Sequence, residues 1–343
     1  MVALYVVSSE EAVGKTAICA GLGKHFLDEG KKVGFFKPII SDKRPEAGND
    51  RDAVFMKQIL ALSGPADSLC PLIGEGGTLS NNKIKETYAR VSQGKDVVIV
   101  EGTCGKSPDD TQSKASYLIA EALNARVIIV EGYANQSPIT KFIDTYKGFG
   151  ENLLGLVLNK VPGSQLMRVC EEITSSFSES ELSILGVLPE DRFLLSLTIG
   201  ELAHYVQGEI INNAEKSAEL VENFMVEAMY VDSGLEYFGR KPDKAVVVRD
   251  NRPDAQLAAL ETPTKCLIIS GTNPPIYSVR YRAEDKGVPI ILTESDPDSI
   301  IQAIENALAK GRFSQEKKLP KLSEIMEQHL GFHPIYKGLG LSS

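Results

Sequence analysis

The chain has 343 residues, 43% of them hydrophobic and 24% charged, which provides for two compact cores and excludes a disordered polymer. Its formal net charge of -9 argues against a general nucleic-acid binder, because a phosphate backbone selects a basic face. No apolar run approaches the ~20 residues of a membrane span, and Val2–Val7 lacks the basic flank of a secretion signal. A soluble cytoplasmic protein that binds neither nucleic acid nor membrane is therefore expected.

Apolar runs predict strands at Val2–Val7, Lys32–Ile39, Val97–Val100, Val127–Val130, Leu153–Leu158 and Ile184–Leu188. Each run is apolar nearly throughout rather than alternating, as in a parallel sheet buried on both faces. Helical spacing separates them. In Lys15–Glu29, Ile18, Leu22 and Phe26 share one face and Gly30 is the stop; Lys114–Leu123 is a second helix. Strand–helix alternation predicts a doubly wound α/β domain over residues 1–210.

The pattern restarts beyond Gly208. Ala214–Met229 reads as an amphipathic linking helix. Strands follow at Ala245–Val248, Cys266–Ile269 and Val288–Leu292, with helices at Ala255–Leu260 and Ser299–Leu308. Residues 211–313 are thus expected to form a smaller α/β unit. Residues 314–343 read as a tail with a docking helix and a frayed end. Cys19, Cys70, Cys104, Cys170 and Cys266 have no metal-type spacing and read as reduced thiols, and no zinc site is visible.

The first strand runs into Ser8-Ser9-Glu10-Glu11-Ala12-Val13-Gly14-Lys15-Thr16, and a helix follows. The general phosphate-loop pattern is Gly, four residues, then Gly-Lys-Ser/Thr; Ser9 stands where the first Gly is usual. Gly14 lets the backbone wrap phosphate oxygens, and amides at the helix start point at negative charge. Lys15 neutralises outer phosphates and the Thr16 hydroxyl can ligate magnesium. Ser9, Glu11, Ala12, Val13, Gly14, Lys15, Thr16 and Ala17 are the expected contacts of ATP or ADP. Glu101 ends an apolar strand on the rim of that loop and is a candidate Mg2+ ligand. Asp52 is a second candidate, although taken alone it reads as a helix cap. Glu131 also ends a strand and competes with Glu101.

Together these residues resemble dethiobiotin synthetase and its relatives, including the cobyrinic acid a,c-diamide synthases. The match lies in Val13-Gly14-Lys15-Thr16, Gly34-Phe35-Phe36-Lys37-Pro38 with Ser41 behind, Asp52-Ala53, Glu101-Gly102, Asn159-Lys160-Val161-Pro162 and Leu185-Gly186-Val187-Leu188-Pro189-Glu190. The resemblance implies that Lys15 and Lys37 contact the terminal phosphate, and that Thr16, Asp52 and Glu101 hold magnesium. It implies that Asn159 reads the adenine edge, with Pro189 and Glu190 near the base. Ser41 and Glu11 would lie toward a substrate.

Over its whole length the chain is similar to the dethiobiotin-synthetase-like N-terminal region of long phosphotransacetylases, which also occurs as a free-standing protein. There the P-loop domain precedes a DRTGG domain. Pro189-Glu190-Asp191-Arg192, Thr198-Ile199-Gly200-Glu201-Leu202 and Val248-Arg249-Asp250-Asn251-Arg252-Pro253-Asp254 carry this likeness. In place of the naming motif stands Asp250-Asn251-Arg252-Pro253-Asp254, where the alternative reading is a turn capped by Asp250 or Asp254.

Two segments depart from dethiobiotin synthetases. Glu11-Ala12 replaces a Thr-Glu pair, and Glu101-Gly102-Thr103-Cys104-Gly105 replaces Glu-Gly-Ala-Gly. Both face the substrate in that family, and Glu11 would repel an anionic carbamate. The expectation is therefore an ATP-responsive regulatory or accessory protein, with a separate acyl-phosphate enzyme as a candidate partner. The alternative is an ATP-dependent ligase that phosphorylates a small carboxylate or carbamate for attack by an amine, with Lys37, Lys15 and Ser41 as its catalytic groups. An ATPase of the partitioning class is disfavoured, because Glu10 and Glu11 stand where those proteins carry an extra lysine. A homodimer is expected, since relatives of this fold often build the site at a dimer interface.

Overall fold

The computed structural model describes residues 1–38, 50–70, 81–105, 111–133, 146–177, 183–227 and 234–342. The chain divides into two units, Met1–Asp191 with Arg312–Ser343, and Arg192–Gly311.

The first unit runs β1 (Val2–Ser8), α1 (Lys15–Asp28), β2 (Val33–Phe36), α2 (Arg51–Ile59), α3 (Asn81–Ser92), β3 (Val97–Cys104), α4 (Thr111–Leu123), β4 (Arg126–Gly132), β5 (Leu153–Val161), α5 (Leu166–Phe177) and β6 (Ile184–Pro189). The six strands are parallel, in the order β2-β3-β1-β4-β5-β6. Val97, Val98, Ile99 and Val100 of β3 are wholly buried, as are Val127, Ile128, Ile129 and Val130 of β4. That is why the strands read as unbroken apolar runs: helices cover both faces. β1 lies between β3 and β4, so chain connections diverge on either side of it. In such sheets the crevice at the strands' carboxyl ends receives the ligand.

The second unit contains β7 (Leu197–Thr198), α6 (Ile199–Tyr205), β8 (Glu209–Ile210), β9 (Leu220–Val221), β10 (Asn223–Val226), α7 (Gly234–Gly239), β11 (Lys244–Arg249), α8 (Pro253–Leu260), β12 (Thr264–Ser270), α9 (Tyr277–Lys286), β13 (Ile290–Thr293) and α10 (Pro297–Lys310). Its main sheet has the order β10-β11-β12-β13-β8, with β8 antiparallel to its neighbour.

The structure breaks the chain after Asp191, earlier than the expected boundary at residue 210. The reason is burial: Leu197, Ile199, Leu202 and Val206 share a core with Val247, Ile268 and Ile304, and β8 edges that unit's sheet. The linking helix expected at Ala214–Met229 is also corrected. Its described part holds one short turn at Ala214–Lys216, then β9 and β10. Pairing of Asn223–Val226 with Lys244–Val247 satisfies that backbone from outside, which outweighs local helical spacing.

Residues beyond Arg312 belong to the first unit and form α11 (Leu319–His329) and α12 (Phe332–Leu339), so the expected frayed end is helical through Leu339. Leu322 and Met326 lie over Gly21 of α1, where a side chain would collide with the Met326 sulfur. Gly331 donates to the Leu185 carbonyl of β6 at 2.7 Å. The Phe332 ring stacks on His25 at 3.7 Å, and Tyr336 meets Phe26 edge-on. Met326 is 1% exposed, so truncation to Ala leaves a cavity against α1. Met326→Ala should lower unfolding free energy in urea by about 2–5 kcal/mol. A loss below about 0.5 kcal/mol, the range of neutral surface changes, would show that these helices do not stabilise the first unit.

Candidate nucleotide site

The carboxyl ends of β1, β3, β4 and β5 and the start of α1 build one cluster. β1 ends in Ser8, and the loop that follows passes Ala12 at φ 56° and Gly14 at φ 101° before α1 begins at Lys15. Gly14 is required twice. Its φ lies in the left-handed region, and a Cβ there would run into the Asn159 side-chain amide. The first-turn amides of α1 have no partner within the helix, which is the general condition for anion binding. Ala17 lies in that turn with its side chain buried, whereas Glu10, Glu11 and Ala12 are exposed.

Side chains brace this loop. Ser9 donates through its amide and its hydroxyl to Glu131 at the end of β4, both at 2.7 Å. Asn159 of β5 donates to the Val13 carbonyl at 2.8 Å, and Lys160 to the Ala12 carbonyl at 2.7 Å. Burial lowers the pKa of Lys160, and Glu190 opposes this. Glu190 is exposed and donates its amide to Val161 at 2.8 Å, which places Pro189 and Glu190 beside the end of β5. Lys15 folds back on the loop, with its ammonium 2.7 Å from the Ser8 hydroxyl.

Thr16, Glu101, Lys37 and Asp52 form the second half of the cluster. The Thr16 hydroxyl donates to Glu101 Oε1 at 2.7 Å. Glu101 Oε2 is buried and accepts no hydrogen bond among the described residues. Burial pushes the Glu101 pKa up to about 7 and Asp52 adds to this, while Lys37, Thr16 and Lys15 pull it down. Lys37, just past β2, is 7% exposed and lies 2.6 Å from Asp52 and 3.1 Å from Asp50. Burial disfavours its charge, yet Glu101, Asp52 and Asp50 hold its pKa above the ordinary value.

Asp52 does not cap the helix it opens. Asp50 does, accepting from the Ala53 amide at 2.9 Å, which frees Asp52 to meet Lys37. Sequence reasoning missed Asp50, Ser8 and Lys160 as members of the site. Only Asp50 left a signal, an acidic residue three before Ala53 at a helix start. Ser41 lies outside the described residues.

Among the described residues no three or more His, Cys, Asp or Glu form a metal cage. Thr16, Glu101 and Asp52 instead offer one hydroxyl and two carboxylates. Such hard oxygens suit Mg2+, which completes its shell with waters and substrate phosphates. The bare Oε2 of Glu101 fits that role, since a buried carboxylate oxygen without a partner is costly. Among the described residues Cys19, Cys70, Cys170 and Cys266 form no disulfide.

In the second unit Asp250 accepts from the Asn273 amide at 3.1 Å and from its side chain at 2.7 Å. Gly271, at φ 140°, packs against that carboxylate. Arg252 is the cap position of α8 and makes no side-chain cap bond, and Asp254 pairs with Arg252.

The AAA domain family matches residues 2–195 and the DRTGG domain matches residues 201–307. The chain belongs to the AAA domain family. Its P-loop unit is of the dethiobiotin-synthetase-like kind and a DRTGG domain follows. Phosphate acetyltransferase of Pseudomonas aeruginosa is 23% identical over 98% of this chain and 52% of its own length. The Nitrosomonas europaea enzyme of the same name is 24% identical over 98% of this chain and 51% of its own. The ATP-dependent dethiobiotin synthetase BioD of Caldicellulosiruptor saccharolyticus is 27% identical over 46% of this chain and 74% of its own. The chain thus spans about half the length of the curated phosphate acetyltransferases it matches. No helix among the described residues is long and apolar enough to cross a membrane.

Glu101 makes stability pH-dependent in the metal-free chain. Its folded pKa is raised from 4.5 to about 7, so between these values the folded chain holds a proton that the unfolded chain has lost. Stability contributed by that proton is present below pH ~4.5 and falls as pH rises through 7. In EDTA, Glu101→Gln should therefore gain on wild type between about pH 5 and 7.5, as read by urea unfolding. A difference between the two proteins that does not change with pH would exclude the raised pKa.

Proposed function

We propose that the first unit binds Mg-ATP and that the chain is a nucleotide-responsive regulatory or accessory protein. The observation that carries this reading is the convergence of Lys15, Thr16, Glu101, Asp52 and Lys37 on one sheet edge, with a buried Glu101 oxygen left for a cation. Lys15 and the α1 amides would hold the outer phosphates, and Thr16, Glu101 and Asp52 the metal. Bound there, magnesium would neutralise phosphate charge. Asn159 keeps one N–H and its carbonyl oxygen beyond its bond to Val13, the donor–acceptor pair an adenine edge requires. Glu190 and Pro189 would border the base.

The regulatory reading is favoured because the substrate-facing segments Glu11-Ala12 and Thr103-Cys104-Gly105 depart from the dethiobiotin synthetase pattern. It is also favoured because the likeness to phosphate acetyltransferases runs through both units. Nucleotide state would then act on a partner that handles acyl phosphates.

One observation favours the ligase reading instead. Lys37 is buried beside Asp52 and Glu101, placed to stabilise charge on a phosphoryl group transferred to a carboxylate or carbamate.

Calorimetric titration with ATP and ADP in magnesium, with ADP formation followed on the same samples, separates the two. Lys15→Ala should weaken Mg-ATP by about tenfold to a hundredfold, the worth of a charge-assisted hydrogen bond. Binding without turnover across a panel of carboxylates and amines supports the regulatory reading. Turnover that vanishes in Lys37→Ala while binding survives supports the ligase. An absence of nucleotide binding in wild type defeats both.

A further inference from the structure

The loop opens with Ser9, where the general pattern has glycine, and a serine hydroxyl in that place needs a partner. The structure supplies Glu131. One carboxylate oxygen takes the Ser9 amide and the other its hydroxyl, each at 2.7 Å. The Tyr146 hydroxyl donates to the oxygen that takes the amide. Glu131 is 1% exposed, Tyr146 3% and Ser9 5%. Both oxygens of Glu131 thus accept hydrogen bonds from the chain, unlike Oε2 of Glu101, which has no partner among the described residues.

A carboxylate suits this task because it accepts at two oxygens and donates at neither. Gripping backbone and side chain of one residue fixes both the direction in which the chain leaves β1 and the Ser9 rotamer. The far side of the loop is pinned at Ala12 and Val13 from β5. β4 pairs directly with β1, Val7 opposite Ile129, so Glu131 sits on the strand adjacent to the loop's root. Burial raises its pKa, while the bonds from Ser9 and Tyr146 favour the ionised acceptor.

We propose that Glu131 is a positioning residue for nucleotide binding: through its paired hydrogen bonds to Ser9 it holds the phosphate loop in the conformation that receives a nucleoside triphosphate. This rests on the reading that the first unit binds Mg-ATP. It assigns to a serine–carboxylate pair the part that glycine's conformational freedom plays in the general loop.

The test is calorimetric titration of Mg-ATP into the full chain as wild type, Glu131→Ala, Glu131→Gln, Ser9→Ala and the double variant Glu131→Ala/Ser9→Ala, with thermal unfolding alongside. Glu131→Ala should weaken binding by about tenfold or more. Glu131→Gln should regain most of that, because glutamine keeps an acceptor for the amide and a donor to the hydroxyl oxygen. The double variant should bind no more weakly than Glu131→Ala alone, since both changes break the same contact. Binding by Glu131→Ala within about twofold of wild type overturns the proposal, as does a double variant whose loss is the product of the single losses. Should Glu131→Ala not fold, Ser9→Ala decides: affinity within about twofold of wild type overturns the proposal, and a larger loss supports it. A wild type that binds no Mg-ATP overturns the nucleotide reading itself and is seen before any variant is compared.

Discussion

A carboxylate taken out of water must be ion-paired, hydrogen-bonded or protonated, and Glu131, Glu101 and Asp52 are buried together at the strand ends of the first unit. Glu131, Glu101 and Asp52 are 1%, 4% and 7% exposed. Each meets the demand differently. Glu131 accepts from Ser9 and Tyr146. Asp52 pairs with Lys37. Glu101 has one oxygen on Thr16 and the other without a partner among the described residues. The first two arrangements close on themselves, whereas the third is completed by a proton or by a cation from outside. That asymmetry, rather than the mere presence of acidic residues, is what the proposed magnesium role of Glu101 rests on.

At the corresponding strand ends of the second unit, Gln256 Oε1 is buried without a partner among the described residues, while the carboxylates Glu227 and Asp250 are hydrogen-bonded. Glu227 gives both carboxylate oxygens to Arg249, one to its amide and one to its guanidinium. Asp250 is held by Asn273 across the neighbouring strand end, and Gly271 gives way to it with a backbone angle few other residues adopt. These bonds tie the turns after β11 and β12 to each other. The segment that stands in place of the naming motif of its domain thus joins two neighbouring turns in this chain.

Much of this was legible in the sequence because burial on both faces writes a strand as an unbroken apolar run. All six strands of the first sheet fall on such runs, and Gly14-Lys15-Thr16 sits where β1 hands over to α1. What could not be read was adjacency. That Glu131 braces Ser9 depends on β4 lying beside β1, which no local pattern encodes. Asp50 and Asp52 are equally plausible caps by composition, and only the geometry of α2 separates the cap from the partner of Lys37. The segment after Asn213 failed for a different reason. Leu220, Val221, Phe224 and Met225 satisfy a helical spacing, but β7 claims the backbone of Leu220 and Val221, and β11 that of Phe224 and Met225. In α11 the apolar face of Leu322, Ile325 and Met326 reads plainly, while its docking on α1 and β6 spans most of the chain's length.

Asn159 joins the two halves of the loop argument. Its amide nitrogen holds the Val13 carbonyl, and the same group fills the space a side chain at position 14 would need. The absence of a Cβ at Gly14 thus does two jobs: it permits a left-handed backbone and lets the Asn159 amide approach the loop. Because β5 enters the sheet next to β4, the bonds of Asn159 and Lys160 arrive from the side where Glu131 also grips. The loop is consequently held to the β4–β5 edge at three residues, while Thr16 on its α1 side meets Glu101 on β3. A loop braced in this way would meet a phosphate with little rearrangement of its backbone, which lowers the ordering cost of binding.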